Sequence, residues 1–268
     1  MSGAPPPTAT PTSTKLGHPR LHLRRTGSTN ERARELAFVG APHGTLVTAN
    51  EQSAGRGRQG RQWSAPAGSS VLMSLLLREL PPLLPLIAAV AVCDVAGAHA
   101  RIKWPNDVVL ESHTTSGGPG LAKLAGILVE GRPQERWAVL GIGLNVAVRI
   151  EELPPELHPD AADTTRASTG MPAATMGMTP ADVEPTLTQL LHALEHRLSE
   201  PAHSTLQAWR AKDALLGREI AWGTHGADGP PLRGQADGVD GTGRLIVTLA
   251  DGGRTTIGAG EVHLQEII

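Results

Sequence analysis

Residues 51–63 constrain this chain more than any other stretch. They read Glu51-Gln52-Ser53-Ala54-Gly55-Arg56-Gly57-Arg58-Gln59-Gly60-Arg61-Gln62-Trp63, three glycines interleaved with three arginines and closed by a tryptophan. Without a Cβ, glycine lets backbone N–H groups turn toward a bound anion. Arginine adds planar donors that match carboxylate and phosphate oxygens two at a time. Such a loop suits a polyanionic ligand, and the indole offers a stacking surface. Taken alone, it also reads as a solvated arginine loop or a nucleic-acid patch.

The same residues spell Gly55-x-Gly57-x-x-Gly60, but the segment after the loop excludes a dinucleotide fold. That fingerprint needs a strand before the loop and a helix opening at it. Residues 45–49 supply a strand. Pro66 and Gly68, however, lead into Ser70-Val71-Leu72-Met73-Ser74-Leu75-Leu76-Leu77. That apolar run is short and bounded by breakers, which predicts a buried strand. No Gly-Lys-Ser/Thr follows, so a Walker phosphate loop is excluded too.

Further motifs lie in a fixed order. Ser28-Thr29-Asn30 precedes the loop. Lys103-Trp104-Pro105-Asn106-Asp107, Lys123-Leu124-Ala125-Gly126-Ile127-Leu128-Val129-Glu130 and Gly141-Ile142-Gly143-Leu144-Asn145 follow it. Across residues 20–268 this set resembles the biotin protein ligases, the biotin–[acetyl-CoA-carboxylase] ligases. The arginine-glycine loop with Lys-Trp-Pro-Asn-Asp downstream is the specific pair.

The resemblance implies an α+β fold. A mixed or antiparallel sheet packed with helices, class II synthetase-like, forms a catalytic domain over residues 18–214, and a small SH3-like β-barrel occupies residues 215–268. It implies ATP and biotin as substrates, with Mg²⁺ carried by ATP rather than held in a cage of protein ligands. Lys123, Arg56, Arg58 and Asp107 are the implied catalytic residues. Ser28, Thr29, Asn30, Gln52, Arg56, Gly57, Arg58, Lys123 and Gly126 would bind biotin. Arg58, Arg61, Trp63, Asn106 and Asn145 would bind ATP, with Arg61 either contacting phosphates or bracing the loop. Asp107 would orient or deprotonate the acceptor lysine. The implied partner is the biotin carboxyl carrier domain of acetyl-CoA carboxylase. Many relatives pair through the catalytic sheet, so a homodimer is among the implied partners, although nothing in the sequence fixes an interface. The chain resembles the monofunctional class, without a helix-turn-helix domain. Lipoate ligases share the catalytic fold but have a different glycine-rich motif. A nonenzymatic sensor or nucleic-acid module is the remaining rival.

Composition agrees without pointing there. The 268 residues carry a net charge of −2, which argues against general nucleic-acid binding. With no Tyr and one Phe, the core must be built from Leu, Val, Ile and Ala. The single Cys93 cannot form an internal disulfide. Arg24-Arg25 is not followed by an apolar segment, so no export signal is read. The apolar helix of residues 83–95 is too short to span a bilayer. A soluble cytoplasmic protein with no membrane and no DNA partner is expected.

Residues 1–17 are rich in Pro, Thr, Ser and Ala and read as a disordered tail. Strands are predicted at 21–23, 45–49, 71–77, 101–104, 108–110, 124–130 and 137–146, with residues 111–120 a polar hairpin loop. A helix capped through Ser28-x-x-Glu31 runs to Phe38. Residues 150–178 read as an irregular, mobile segment near the site, which joins the arginine loop as a candidate lid. Thr179-Pro180 opens a helix whose Leu187, Leu190, Leu191, Leu194 and Leu198 form one stripe. A second helix is predicted at 204–216, and alternating runs beyond Gly217 predict a small all-β unit. His192-x-x-Glu195-His196 mimics a zinc-protease motif, but helical geometry turns both histidines away from the stripe, toward solvent.

Overall fold

The computed structural model describes residues 16–78, 80–113, 119–132, 134, 136–158, 171–223, 231–258 and 262–264. Most of the predicted tail lies outside them. Leu16 and Gly17, read from composition as part of that tail, are fixed: Leu16 is buried and Gly17 N–H donates to Gly44 O at 2.9 Å.

The larger sheet has seven strands: β1 (Arg20–Leu23), β2 (Leu46–Ala49), β5 (Ser70–Leu77), β6 (Arg101–Lys103), β7 (Asp107–His113), β8 (Pro119–Arg132) and β9 (Trp137–Asn145). Their order is β1-β2-β5-β9-β8-β7-β6, with β1 and β2 parallel and every other pair antiparallel. The parallel pair is joined by helix α1 (Thr29–Phe38), the crossover that parallel neighbours require. Between β2 and β5 the arginine-rich loop forms a small hairpin of its own, β3 (Gly55–Arg56) with β4 (Gln62–Trp63).

The sheet is covered on both faces, and alternation along β5 and β9 explains how. Val71, Met73, Leu75 and Leu77, with Leu140, Ile142 and Leu144, face the main core. Leu76 and Val139 face the other way, under Ala33 and Ala37 of α1. The main core is closed by α2 (Leu84–Ala96) and α3 (Val183–Ser199). Residues 84 and 86–93 of α2 are all buried, as a run apolar on every side requires; Asp94 near its end pairs with Arg197 of α3, and Pro85 is tolerated in the first turn. Burial pushes the Cys93 thiol up to about 12, so it is a packing residue here. Leu187, Leu190 and Leu194 of α3 are buried, and Leu191 and Leu198 pack beside them.

Helix α4 (Ala202–Arg210) ends six residues earlier than its sequence predicts. The next stretch of backbone pairs with β6 instead: Ile102 N–H donates to Lys212 O at 2.7 Å and Ala214 N–H to Ile102 O at 2.9 Å. Those groups are thereby committed to sheet-like pairing and cannot extend the helix.

A five-stranded antiparallel sheet completes the described chain, built from β10 (Glu219–Trp222), β11 (Leu232–Val239), β12 (Leu245–Thr248), β13 (Arg254–Ile257) and β14 (Val262–Leu264) in the order β13-β12-β11-β10-β14. It shares the main core through Ile220, Ala236, Val239, Leu245 and Val247. Trp104, buried just after β6, ties this sheet to the larger one: its Nε1 donates to Gly243 O, in the turn between β11 and β12, at 3.1 Å.

Three local expectations are corrected. Ser28 precedes α1 but makes no side-chain cap bond, so the predicted capping box is absent; the Gln52 side chain accepts from Thr29 N–H at 2.7 Å instead. The hairpin of residues 111–120 has longer strand arms than predicted, with Ser112 paired to Gly120 and His113 to Pro119; residues 114–118 lie outside the described residues. Of residues 150–178, those from 159 to 170 are likewise outside them, but residues 172–178 are tied down. Lys123 N–H donates to Pro172 O (2.6 Å), Ala174 N–H to Lys123 O (2.8 Å) and Met176 N–H to Asn145 O (3.0 Å).

Candidate functional site

The site lies on the sheet face that carries α1, and its floor is glycine. Gly126 of β8 pairs with Gly143 of β9, and Gly141 pairs with Leu128. Side chains from elsewhere occupy the space a Cβ would take. A Cβ on Gly143 would sit 2.6 Å from Trp63 Cε2, one on Gly126 3.0 Å from Trp63 Cζ3, and one on Gly141 2.1 Å from Asn30 Oδ1.

A β-bulge puts Lys123 on this face. Residues 123 and 126 of an uninterrupted strand would point to opposite sides. Here the β7–β8 register shifts between Val108 and Val109, which pair with Ala125 and Lys123 respectively. Leu124 is the extra residue, and it joins Ala125 and Ile127 in the main core. Lys123 therefore shares the site face with Gly126, a common use of bulges beside functional sites. Its Nζ lies 2.7 Å from Asp107 Oδ1 and 5.7 Å from the Trp63 ring centroid. Asp107 is held opposite Gly126 by the same register.

At the other end Ser28, Thr29 and Asn30 are buried at the start of α1. Asn30 Nδ2 donates to Glu130 Oε2 at 2.9 Å. A carboxylate only accepts, so this contact fixes the amide orientation and turns Oδ1 to Ser74 Oγ, 2.6 Å away. Ser74 Oγ is also 2.8 Å from Thr29 Oγ1, which is 3.1 Å from Gln52 Oε1. Gln52 Oε1 is fixed as an acceptor by Thr29 N–H. The row Asn30–Ser74–Thr29–Gln52 thus has three contacts, a carbonyl oxygen at each end, and two hydroxyl protons between them. It is short of one proton and favours a ligand that brings an N–H.

The arginine loop lies over this floor. Arg56 reaches Glu130 (3.5 Å), and Arg58 donates to Asn106 Oδ1 (3.3 Å). Asn106 is itself locked by exchanging bonds with Ile127, its Nδ2 and Ile127 N–H each at 2.9 Å from the other's carbonyl oxygen. Gly57 N–H donates to Arg61 O at 2.7 Å and closes the loop tip, where the Arg61 side chain is exposed. Trp63 Nε1 is buried without a partner, a polar atom whose cost a ligand acceptor would relieve.

Most sequence-expected site residues are brought together. Ser28, Thr29, Asn30 and Gln52 gather at one end, and Lys123, Asp107, Asn106, Arg58, Gly126 and Trp63 at the other. Asn145 is buried but already bonded at both ends of its amide, to Ser70 Oγ (3.3 Å) and Ala174 O (2.9 Å). Sequence reasoning missed Ser74, Glu130 and the floor glycines at 141 and 143. Ser74 carried a signal, as one polar residue inside an apolar strand; Glu130 carried another, as the charge that closes the apolar run after Lys123. His192 and His196 are exposed as predicted. Among the described residues no group of three His, Cys, Asp or Glu could hold a metal ion, and no helix is long and apolar enough to cross a membrane. A crevice of 240 Å³ opens elsewhere, between Leu16–Arg20 and α3.

Residues 22–146 match the family model described as the Biotin/lipoate A/B protein ligase family. A biotin–[acetyl-CoA-carboxylase] ligase of Mycobacterium tuberculosis is 34% identical over 262 residues, 91% of this chain and 88% of that protein. The bifunctional ligase/repressor BirA of Bacillus spizizenii is 40% identical over 165 residues, 57% of this chain; the match spans 48% of that relative, about half its length. A solved biotin protein ligase from Aquifex aeolicus, in complex with biotin and ATP, superposes with a TM-score of 0.67 at 25% identity, covering 92% of this chain and 99% of that one.

Proposed function

The chain belongs to the biotin protein ligase family, and from that premise we propose that it activates biotin with ATP and transfers it to a carrier-protein lysine. In the first step a carboxylate oxygen of biotin attacks the α-phosphorus, the bond to the bridging oxygen breaks, and pyrophosphate leaves biotinyl-5′-AMP. In the second the neutral lysine amine attacks the acyl carbon, loses a proton, and AMP departs. The acceptor is the biotin carboxyl carrier domain of acetyl-CoA carboxylase, in the cytoplasm.

The single observation that carries this reading is the two-ended floor. One end is a proton-deficient row of amide and hydroxyl oxygens. The other is the Lys123–Asp107 pair. Strand rise separates Leu128 from Gly126 by roughly 7 Å, a distance a short alkyl tail spans. A ureido ring, with N–H donors and a carbonyl acceptor, fits the first end and places its carboxylate near the second.

Two anions must meet at that second end. Preorganised cations in a water-poor site lower the barrier more than acid–base chemistry would. Lys123, a point charge on a flexible stem, touches both carboxylate and phosphate, while Arg56 and Arg58 carry the remaining charge. Gly57 brings backbone to the ligand. Trp63 stacks on the nucleotide side, where Arg61 reaches phosphate. Asn106 sets Arg58, and Asn145, held by Ser70 and Ala174, offers its second N–H and lone pair to the nucleotide. Mg²⁺, brought on the triphosphate, would neutralise charge there. Asp107 holds Lys123 and orients or deprotonates the incoming amine. The closed arginine loop keeps water from the anhydride. Residues 18–214 are the catalytic domain, class II synthetase-like, and residues 215–268 an SH3-like barrel. Two copies pairing through the catalytic sheet would give a homodimer.

Incubation with ATP and either biotin or lipoate, followed by pyrophosphate assay, tests the first step. Streptavidin blotting of an added carrier domain tests the second. Release with lipoate but not biotin, or no release with either, would overturn the proposal.

A further inference from the structure

Glu130 is a half-sheltered charge at the site that the two-step reaction does not consume. Its side chain is 21% exposed and receives three groups: the Asn30 amide at 2.9 Å, Arg34 at 3.5 Å and Arg56 at 3.5 Å. It lies on the same strand face as Gly126 and Leu128, at the amide end of the floor. We infer that Glu130 is a positioning residue with two functions: it fixes the Asn30 amide for ring recognition, and it is the resting counter-ion of Arg56 that the substrate's carboxylate displaces. Both functions presuppose that biotin is the ligand.

The first function comes from hydrogen-bond chemistry. Glu130 is the charged acceptor that decides which end of the Asn30 amide faces Ser74. With that acceptor gone, only a long 3.5 Å contact of Asn30 Nδ2 with Leu128 O is left to keep Oδ1 toward the hydroxyl row, and a flip would offer the row a donor instead. The second comes from electrostatics. Arg56 is 49% exposed and sits at 3.5 Å, a loose pair compared with the 2.7 Å Lys123–Asp107 contact. A loose, half-solvated pair rests the guanidinium at the amide end yet yields it readily to a better anion, so that the Arg56 side chain swings toward the Lys123 end when the substrate's carboxylate arrives there. Arg34, on α1, shares the same carboxylate and keeps Glu130 from following Arg56 when the pair opens.

The two functions separate under substitution. Glu130→Gln keeps an oxygen that can accept from Asn30 but removes the charge competing for Arg56. Glu130→Ala removes both. Binding is measured by calorimetry with biotin and with its alcohol analogue, in which CH₂OH replaces the carboxylate. For Glu130→Gln, affinity for biotin is expected to rise by roughly threefold to fivefold, the range an exposed ion pair supports, while affinity for the alcohol stays within about twofold, close to measurement scatter. For Glu130→Ala, affinity for both ligands is expected to fall. A merely structural role would move both ligands by the same factor in Glu130→Gln, and that result would overturn the inference even if Glu130→Ala fails to fold. Unchanged affinity for the alcohol in folded Glu130→Ala would overturn the Asn30 function. Should wild-type protein bind neither ligand, the biotin reading itself falls, and the inference with it.

Discussion

Gly141→Ala adds one carbon at the most crowded point of the site floor. That Cβ would lie 2.1 Å from Asn30 Oδ1, 2.8 Å from Cγ and 3.0 Å from Nδ2. Ordinary contact is roughly 3.5 Å, so the Asn30 amide must retreat by more than about 1 Å. It has nowhere to go without loss, because Ser74 holds it at 2.6 Å and Glu130 at 2.9 Å. Breaking either contact leaves a buried polar group unpaired, about 1–3 kcal/mol, and overpacking adds a similar amount. The expected destabilisation is about 2–5 kcal/mol, or a fall in Tm of roughly 5–15 °C for a chain of this size. Thermal melts give the number, and a double-mutant cycle gives the cause. In an Asn30→Ala background the clashing atoms are gone, so adding Gly141→Ala should cost less than about 0.5 kcal/mol. Equal losses in both backgrounds would refute the claim that a pinned Asn30 makes this position glycine.

Three further outcomes are expected. Lys123→Ala should abolish pyrophosphate release while the far-UV spectrum stays native, since Lys123 packs at the surface of the bulge rather than in the core; near-normal turnover would remove the main catalytic assignment. Arg58→Gly loses the Asn106 contact and adds backbone freedom to the loop, so activated biotin should escape and label bystander lysines; retention of the intermediate equal to wild type would count against the loop as a clamp. Asp213 has one oxygen sealed without a partner, and burial pushes its carboxyl from 3.8 up to about 6. A carboxyl raised by folding favours the native state below its unfolded value, and that advantage is lost as pH climbs through about 6. Asp213→Asn should therefore stabilise by roughly 1–2 kcal/mol at pH 8 and by almost nothing at pH 4; urea midpoints displaced equally at both pH values would contradict this.

What the sequence determined by itself was local. The apolar run at 70–77 had to be a buried strand, the mostly apolar run at 83–95 a core helix, and the leucine stripe of α3 a packed face, because period and breakers act over a few residues. The motif set likewise located the arginine loop, Lys123 and the Ser28–Asn30 cluster. Only tertiary structure decided which of these meet. Register between β7 and β8 displaces Leu124 and so brings Lys123 to the face of Gly126. Cross-strand neighbours, far apart in sequence, turn Ser74, Gly141 and Glu130 into one network around Asn30. Helix α4 stops short because β6, far upstream in the chain, captures its next carbonyl. Strand pairing sets these contacts, and pairing is a property of partners that no short window of sequence contains.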